Sequence, residues 1–137
     1  MTFVLDASVA LAWCFEDEVT PAVESLFQDV ARKGALVPAL WRLEVGNGLQ
    51  VGVRRGKLSP SQRDRLLGVF DRLDIRTDPE TDRYAWTTTV HLADRFGLTL
   101  YDASYLELAQ RLTLTLATQD QALFQAAKKN GTDLYSL

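Results

Sequence analysis

A layered α/β fold built on a short parallel sheet is what this sequence predicts, and three observations predict it. Short apolar runs at Thr2–Leu5, Ala35–Val37 and Leu114–Ala117 alternate along the chain with longer segments of helical periodicity. Runs that apolar suit strands covered by helices on both faces, a three-layer α/β/α sandwich. Two of the runs are followed almost at once by an acid, Asp6 and Asp120, and an open α/β sheet binds its ligands where strands end and helices begin. Finally, 137 residues at 47% hydrophobic and 24% charged have the size and balance of one folded unit, and no linker or repeat divides residues 1–137.

Taken in order, Thr2–Leu5 reads as a buried first strand and Ala7–Phe15 as a short helix, followed by the acidic loop Glu16-Asp17-Glu18. Thr20-Pro21 opens the next helix with a capping hydroxyl and a proline in the first turn, and Gly34 ends it after Lys33. Ala35–Val37 is the second strand. From Ala39 to Arg55, Leu40, Trp41, Val45 and Leu49 recur at helical spacing, and Gly56 closes that helix. Ser59-Pro60-Ser61 starts another helix that runs to Leu73, and Ile75 falls in a short extended segment. Pro79 begins a helix through Trp86, Val90, Leu92 and Phe96 that ends at Gly97. Asp102 is placed as the cap of a helix reaching Leu112, Leu114–Ala117 is a strand, Gln121–Lys129 is the last helix, and Asp133-Leu134-Tyr135 adds an edge strand.

The net charge of −3 would count against a polyanion partner if it were evenly spread. It is not: residues 1–31 carry six acids and no Lys or Arg, whereas residues 50–76 hold Arg54, Arg55, Lys57, Arg63, Arg65, Arg72 and Arg76 against Asp64, Asp71 and Asp74. A lone cysteine, Cys14, forms no internal disulfide, and there is neither a cationic leader before Asp6 nor an apolar run near the roughly 20 residues of a membrane span. The expectation is a cytoplasmic protein without a membrane segment.

Four acids stand out. Asp6, Asp102 and Asp120 each occur at a helix start, where capping is the plain alternative to a site role. Glu44 is harder to assign to solvent, because it falls within the Leu40–Trp41–Val45–Leu49 stripe with no Lys or Arg at i±4, and a carboxylate on a core-facing stripe is costly unless paired or bound to a cation. Asn47, one turn on, is placed as its hydrogen-bond partner, and Gly48 and Gly52 on the same face permit close backbone approach. If the acids converge, two unit charges about 4 Å apart repel by roughly 4 kcal/mol at an effective dielectric near 20, so protons or cations must relieve them. Oxygen ligands without Cys or His point to Mg2+ or Mn2+; His91, the sole histidine, reads as structural.

Asp6 with Ser8, Glu44 with Asn47, Tyr101-Asp102-Ala103 and Thr118-Gln119-Asp120, in that order and over nearly the whole chain, resemble the PIN-domain nucleases, above all the VapC toxins of prokaryotic toxin–antitoxin pairs. The resemblance implies one PIN domain with a Rossmann-like sheet, metal bound by Asp6, Glu44, Asp102 and Asp120, and supporting hydroxyls at Ser8 and Thr118. It further implies a Mg2+- or Mn2+-dependent endoribonuclease, the toxin of a type II system, in which metal-activated water hydrolyses RNA phosphodiesters. Expected partners are RNA, a VapB-like antitoxin whose C-terminal segment crosses the acidic site, and a second copy in a homodimer, with DNA reached only through the antitoxin. Trp13, Phe15 and Phe27 are candidates to line the antitoxin groove, though core packing competes for them. Arg54, Arg55 and Lys57 are candidate RNA-backbone contacts, the alternative being a solvated helix end.

Other classes fit less well. A non-catalytic binding module acting through an antitoxin in an autoregulatory DNA-bound complex would not need the intact acid set, and residues 59–76 carry no helix-turn-helix pattern. A phosphoacceptor receiver would want adjacent acids after its first strand and a Lys after a late one, and a haloacid-dehalogenase-type phosphatase a second Asp at the position of Ser8.

Overall fold

Four strands of three residues each lie side by side and parallel in the computed structural model, which describes residues 2–137. The order along the chain is β1 (Phe3–Leu5), α1 (Ala7–Ala12), α2 (Pro21–Lys33), β2 (Ala35–Val37), α3 (Trp41–Arg54), α4 (Pro60–Arg72), β3 (Ile75–Thr77), α5 (Thr81–Tyr84), α6 (Thr88–Phe96), α7 (Leu100–Leu112), β4 (Thr115–Ala117) and α8 (Gln121–Lys129). In space the strands run β3-β2-β1-β4, with Phe3 beside Ala35 on one side and Thr115 on the other. The chain thus winds outward from β1 through β2 and β3, then crosses back to place β4 against the other flank of β1. That reversal opens a crevice at the C-terminal ends of β1 and β4.

Local chemistry explains most element ends. Thr20 Oγ1 accepts from the Val23 N–H and Pro21 fills the first helical position of α2, while Gly34 leaves the helix at φ +76°, a left-handed backbone that side chains resist. A reciprocal box starts α4: the Gln62 N–H donates to Ser59 Oγ and the Ser59 N–H to Gln62 Oε1. The core lies on both faces of the sheet, with Val4, Leu5, Val9, Leu26, Val30, Leu49, Tyr105, Leu106, Leu108, Leu116 and Leu123 fully buried. Trp13 packs edge-on to Phe27 and near Phe70, which meets Trp41, and the Trp13 indole donates to the Val23 carbonyl. Packing therefore holds Trp13 and Phe27, and Phe15 lies against the core beside Gly52.

Three expectations change. The helix expected from Pro79 to Gly97 is broken into α5 and α6 by a turn at Ala85–Thr87, which leaves Trp86 87% exposed. Thr87, Thr88 and Thr89 are consecutive β-branched residues that weaken helix continuation, while a buried ion network holds the segment before the break, Asp78 and Glu80 both meeting the Arg111 guanidinium. The residue capping α7 is Thr99, whose Oγ1 accepts from the Asp102 N–H, so Asp102 sits inside the first turn. Asp133-Leu134-Tyr135 forms only a single parallel bridge, Leu134 to Leu116. Among the described residues no helix is long and apolar enough to cross a membrane.

Candidate active site

Asp6 leaves β1 as the residue before α1, held to β4 by its own N–H on the Ala117 carbonyl at 3.0 Å. It is 4% exposed, and its side chain makes no capping bond to α1. Instead Ser8 Oγ donates to Asp6 Oδ2 at 2.6 Å and Thr118 Oγ1 to the same oxygen at 2.7 Å. Both hydroxyls therefore grip one oxygen and leave Oδ1 free of them. Burial pushes the Asp6 carboxyl above its ordinary range, the two hydroxyls pull it down, and the charges of Asp102 and Asp120 push it up again.

The loop after β4 is fixed by the same hydroxyls. The Gln119 N–H donates to Ser8 Oγ and the Asp120 N–H to Thr118 Oγ1, each at 3.0 Å. Asp120 then caps α8, its Oδ1 accepting from the Leu123 N–H at 2.8 Å. Capping occupies only one carboxylate oxygen of Asp120 and leaves the other free of the helix.

Glu44 lies half-buried in the first turn of α3, beside the buried stripe of Trp41, Val45, Leu49 and Gly52. Its carboxyl is raised by burial, opposed by a hydrogen bond from Tyr105, and raised further by Asp6 and Asp102. Asp102, also half-buried, is raised by burial and by Asp120 and lowered by its contact with Thr99. Each of the four acids is therefore within electrostatic reach of others in the set, although they come from β1, α3, α7 and the β4–α8 loop. Among the described residues no three His, Cys, Asp or Glu side chains form a ready-made metal cage. The acids act on one another through space without closing into a cage. An all-oxygen set of that kind suits a hard cation that keeps several waters and takes only one or two direct carboxylates, as Mg2+ does.

Two sequence expectations need correction here. Asn47 is exposed, and the hydrogen bond that Glu44 accepts comes from Tyr105, whose hydroxyl reaches Glu44 Oε1 at 2.5 Å from α7. A partner within the same helix looked nearest along the chain, but Tyr105, three residues after Asp102, reaches Glu44 from a helix 61 residues further on. Its only sequence signal was a hydroxyl-bearing aromatic within an apolar helix. His91 is exposed on α6, outside both core and site. Arg54, Arg55 and Lys57 are exposed at and just past the far end of α3, Arg54 lying ~15 Å along the axis from Glu44 at 1.5 Å per residue.

A cluster that sequence reasoning missed lies elsewhere on α7. The Arg111 guanidinium donates to Asp78 Oδ2 at 2.6 Å and to Glu107 Oε2 at 2.8 Å, and both acids are buried. It also stacks 4.7 Å from the Tyr84 ring. With both acids paired, this is an internal brace tying α7 to the β3–α5 loop. Cys14 is likewise chemically quiet, its thiol pushed up to about 12 by burial and by Glu18.

Comparison with known proteins adds sequence and structural relatives. The family model described as PIN domain matches residues 3–129. Ribonuclease VapC9 of Mycobacterium tuberculosis is 31% identical over 120 residues, 88% of this chain and 87% of that protein. Exonuclease VapC9 of Pyrobaculum aerophilum is 34% identical over 95 residues, 69% of this chain and 67% of its own. Among solved structures, PAE2754 from Pyrobaculum aerophilum matches with a TM-score of 0.68 at 26% identity, covering 92% of this chain and 84% of that one. FitAcB from Neisseria gonorrhoeae also matches at 0.68, over 98% and 97% of the two chains, but at 16% identity, a likeness of fold alone.

Proposed function

The chain belongs to the PIN-domain family and within it to the VapC-type nucleases, and on that premise we propose that it is a Mg2+- or Mn2+-dependent endoribonuclease, the toxin of a type II toxin–antitoxin pair. The observation that carries the reading is Asp6: a buried carboxylate gripped on one oxygen by two hydroxyls, with the charges of Asp102 and Asp120 acting on it. Such a group is unfavourable in isolation and is relieved by a proton or a cation.

Asp6, Glu44, Asp102 and Asp120 would hold the ion. When bound, it supplies a water of lowered pKa and neutralises charge developing on the scissile phosphate. The residues of the chain do the positioning. Ser8 and Thr118 fix the Asp6 carboxylate through Oδ2, Thr118 also fixes the Asp120 backbone, and Tyr105 fixes Glu44 through Oε1. Asp120 is held from its own helix by the Leu123 N–H. No side chain forms a covalent intermediate in this scheme.

The same reading takes residues 1–137 as one domain acting in the cytoplasm as a homodimer, with RNA as substrate and a VapB-like antitoxin covering the acid pocket. Arg54, Arg55 and Lys57 serve the RNA backbone at a distance from the cut, and DNA is met only through the antitoxin. Names of the relatives include both ribonuclease and exonuclease, so the test separates the modes. Circular single-stranded RNA incubated with Mg2+ or Mn2+ is expected to be linearised and then cut further, and Asp6→Asn to abolish this. Undiminished cleavage by Asp6→Asn overturns the site. Shortening of linear RNA with circular RNA left intact overturns the endonucleolytic reading.

A further inference from the structure

Thr118, whose hydroxyl grips Asp6, also borders a cavity of about 330 Å3 lined by Thr118, Gln119, Gln121, Phe124 and Leu137. Its volume falls at the lower end of the roughly 300–1,000 Å3 typical of small-ligand sites. None of its lining side chains is ionisable, so no side chain in its wall pairs with a phosphate or balances a cation. What the wall offers is the half-buried ring of Phe124 together with two exposed amide side chains, each carrying an acceptor and two donors. That combination fits a flat neutral group with mixed donors and acceptors at its edge, which describes a nucleobase.

The placement of the amides is fixed with respect to the acids. The Gln119 N–H is tied to Ser8 Oγ, the Asp120 N–H to Thr118 Oγ1, and Asp120 Oδ1 to the Leu123 N–H. Ser8 and Thr118 are the same two hydroxyls that grip Asp6. Gln119 and Gln121 thus flank Asp120 on a loop pinned by the hydrogen bonds that set the acid site. From this juxtaposition we infer a base-reading subsite: one unstacked base next to the scissile phosphate inserts against Phe124, and Gln119 and Gln121 read its edge. A base held in a duplex cannot enter, so the subsite takes an unpaired base. This inference rests on the ribonuclease reading above and narrows it.

The experiment uses the Asp6→Asn protein, expected to hold RNA without cutting it, and fluorescence anisotropy with a short single-stranded oligonucleotide that spans a mapped cut. A second oligonucleotide lacks only the base adjacent to the cut. Base–aromatic stacking is worth about 1–3 kcal/mol per base, so adding Phe124→Ala is expected to weaken binding of the intact oligonucleotide by roughly 5- to 150-fold. The same change is expected to leave binding of the abasic one almost unaltered. On the cutting protein, Gln119→Ala and Gln121→Ala are expected to change which base is found beside the cleaved bond; these exposed positions keep the test open even if Phe124→Ala unfolds. Equal losses on both oligonucleotides, or an unaltered base preference in both Gln variants, overturns the subsite. A cavity that takes a peptide side chain instead would give that second result. A parent protein that cuts no RNA at all overturns the nuclease reading itself, and the two failures are told apart in the parent's own lane.

Discussion

The Tyr105 hydroxyl, on a side chain with no solvent exposure, donates to Glu44 Oε1 at 2.5 Å, joining the helix that carries Asp102 to the helix that carries Glu44. Because one oxygen of Glu44 is committed to the phenol, the direction of the other is set by α7 and not by solvent. Partners that orient a metal-binding carboxylate typically change metal affinity or activity 10–100-fold when removed. Tyr105→Phe keeps the ring and loses this bond together with the hydroxyl's contact with the Ala7 backbone. We expect Mn2+ binding, followed by calorimetric titration, to weaken ~10–100-fold, with the far-ultraviolet circular dichroism unchanged. Wild-type affinity in the variant would show that Glu44 needs no brace.

Acidity gives a second expectation. Asp6, Glu44 and Asp102 are all raised above their ordinary values, chiefly by burial. The folded chain then keeps protons that the unfolded chain has released, so the contribution of these three acids to metal-free stability is full below the unfolded carboxylate values and is lost as pH rises through the folded ones. Added Mg2+ competes with those protons and should raise Tm more at pH 8 than at pH 5. Asp6→Asn removes one charge from the pocket and should raise the metal-free Tm at pH 8 while abolishing the metal effect. Scanning calorimetry across pH decides it; a metal-free Tm that climbs steadily from pH 5 to 8 contradicts the sign.

Arg111 stands between two buried acids, Asp78 and Glu107. Removing one partner of a buried ionic cluster costs about 3–5 kcal/mol, because the remaining charges are left uncompensated. Arg111→Met should lower stability by that order, read from urea unfolding. Arg111→Lys should recover little, since a single ammonium cannot meet two carboxylates as a planar fork does.

Gly48 and Gly46 make an internal control on one helix. A Cβ at Gly48 would come 2.5 Å from Leu11 Cδ2 across the α1–α3 contact, whereas one at Gly46 meets nothing within 4 Å. In a helix interior, alanine gains about 1 kcal/mol over glycine. Gly46→Ala should show that gain, and Gly48→Ala should lose it to an overpacking cost of about 1–3 kcal/mol. Similar urea midpoints for the two variants would mean that Leu11 moves aside freely.

How much was legible beforehand follows from the range of each signal. The ends of α2 and α4 were readable because Thr20-Pro21, Gly34 and Ser59-Pro60 act within a few residues of themselves. The acids were readable as candidates because Asp6 and Asp120 stand at strand–helix junctions and Glu44 sits in an apolar stripe. Tyr105 and Asp78 were not, since each depends on a partner far along the chain: Tyr105 meets Glu44 across 61 residues and Arg111 meets Asp78 across 33. The break at Ala85–Thr87 was missed for a related reason, as apolar spacing carried on through a segment whose course the Arg111 network helps to fix.

The sequence by itself determined the alternation of strands and helices and most of their ends, and it nominated the four acids, because periodicity, caps and residue type are local properties. Only the tertiary structure decided the strand order β3-β2-β1-β4, which puts Asp6 next to the β4–α8 loop, and with it which hydroxyl holds which carboxylate. Hydrogen bonds and charge repulsion act over a few ångströms through space, and no spacing along the chain encodes that distance.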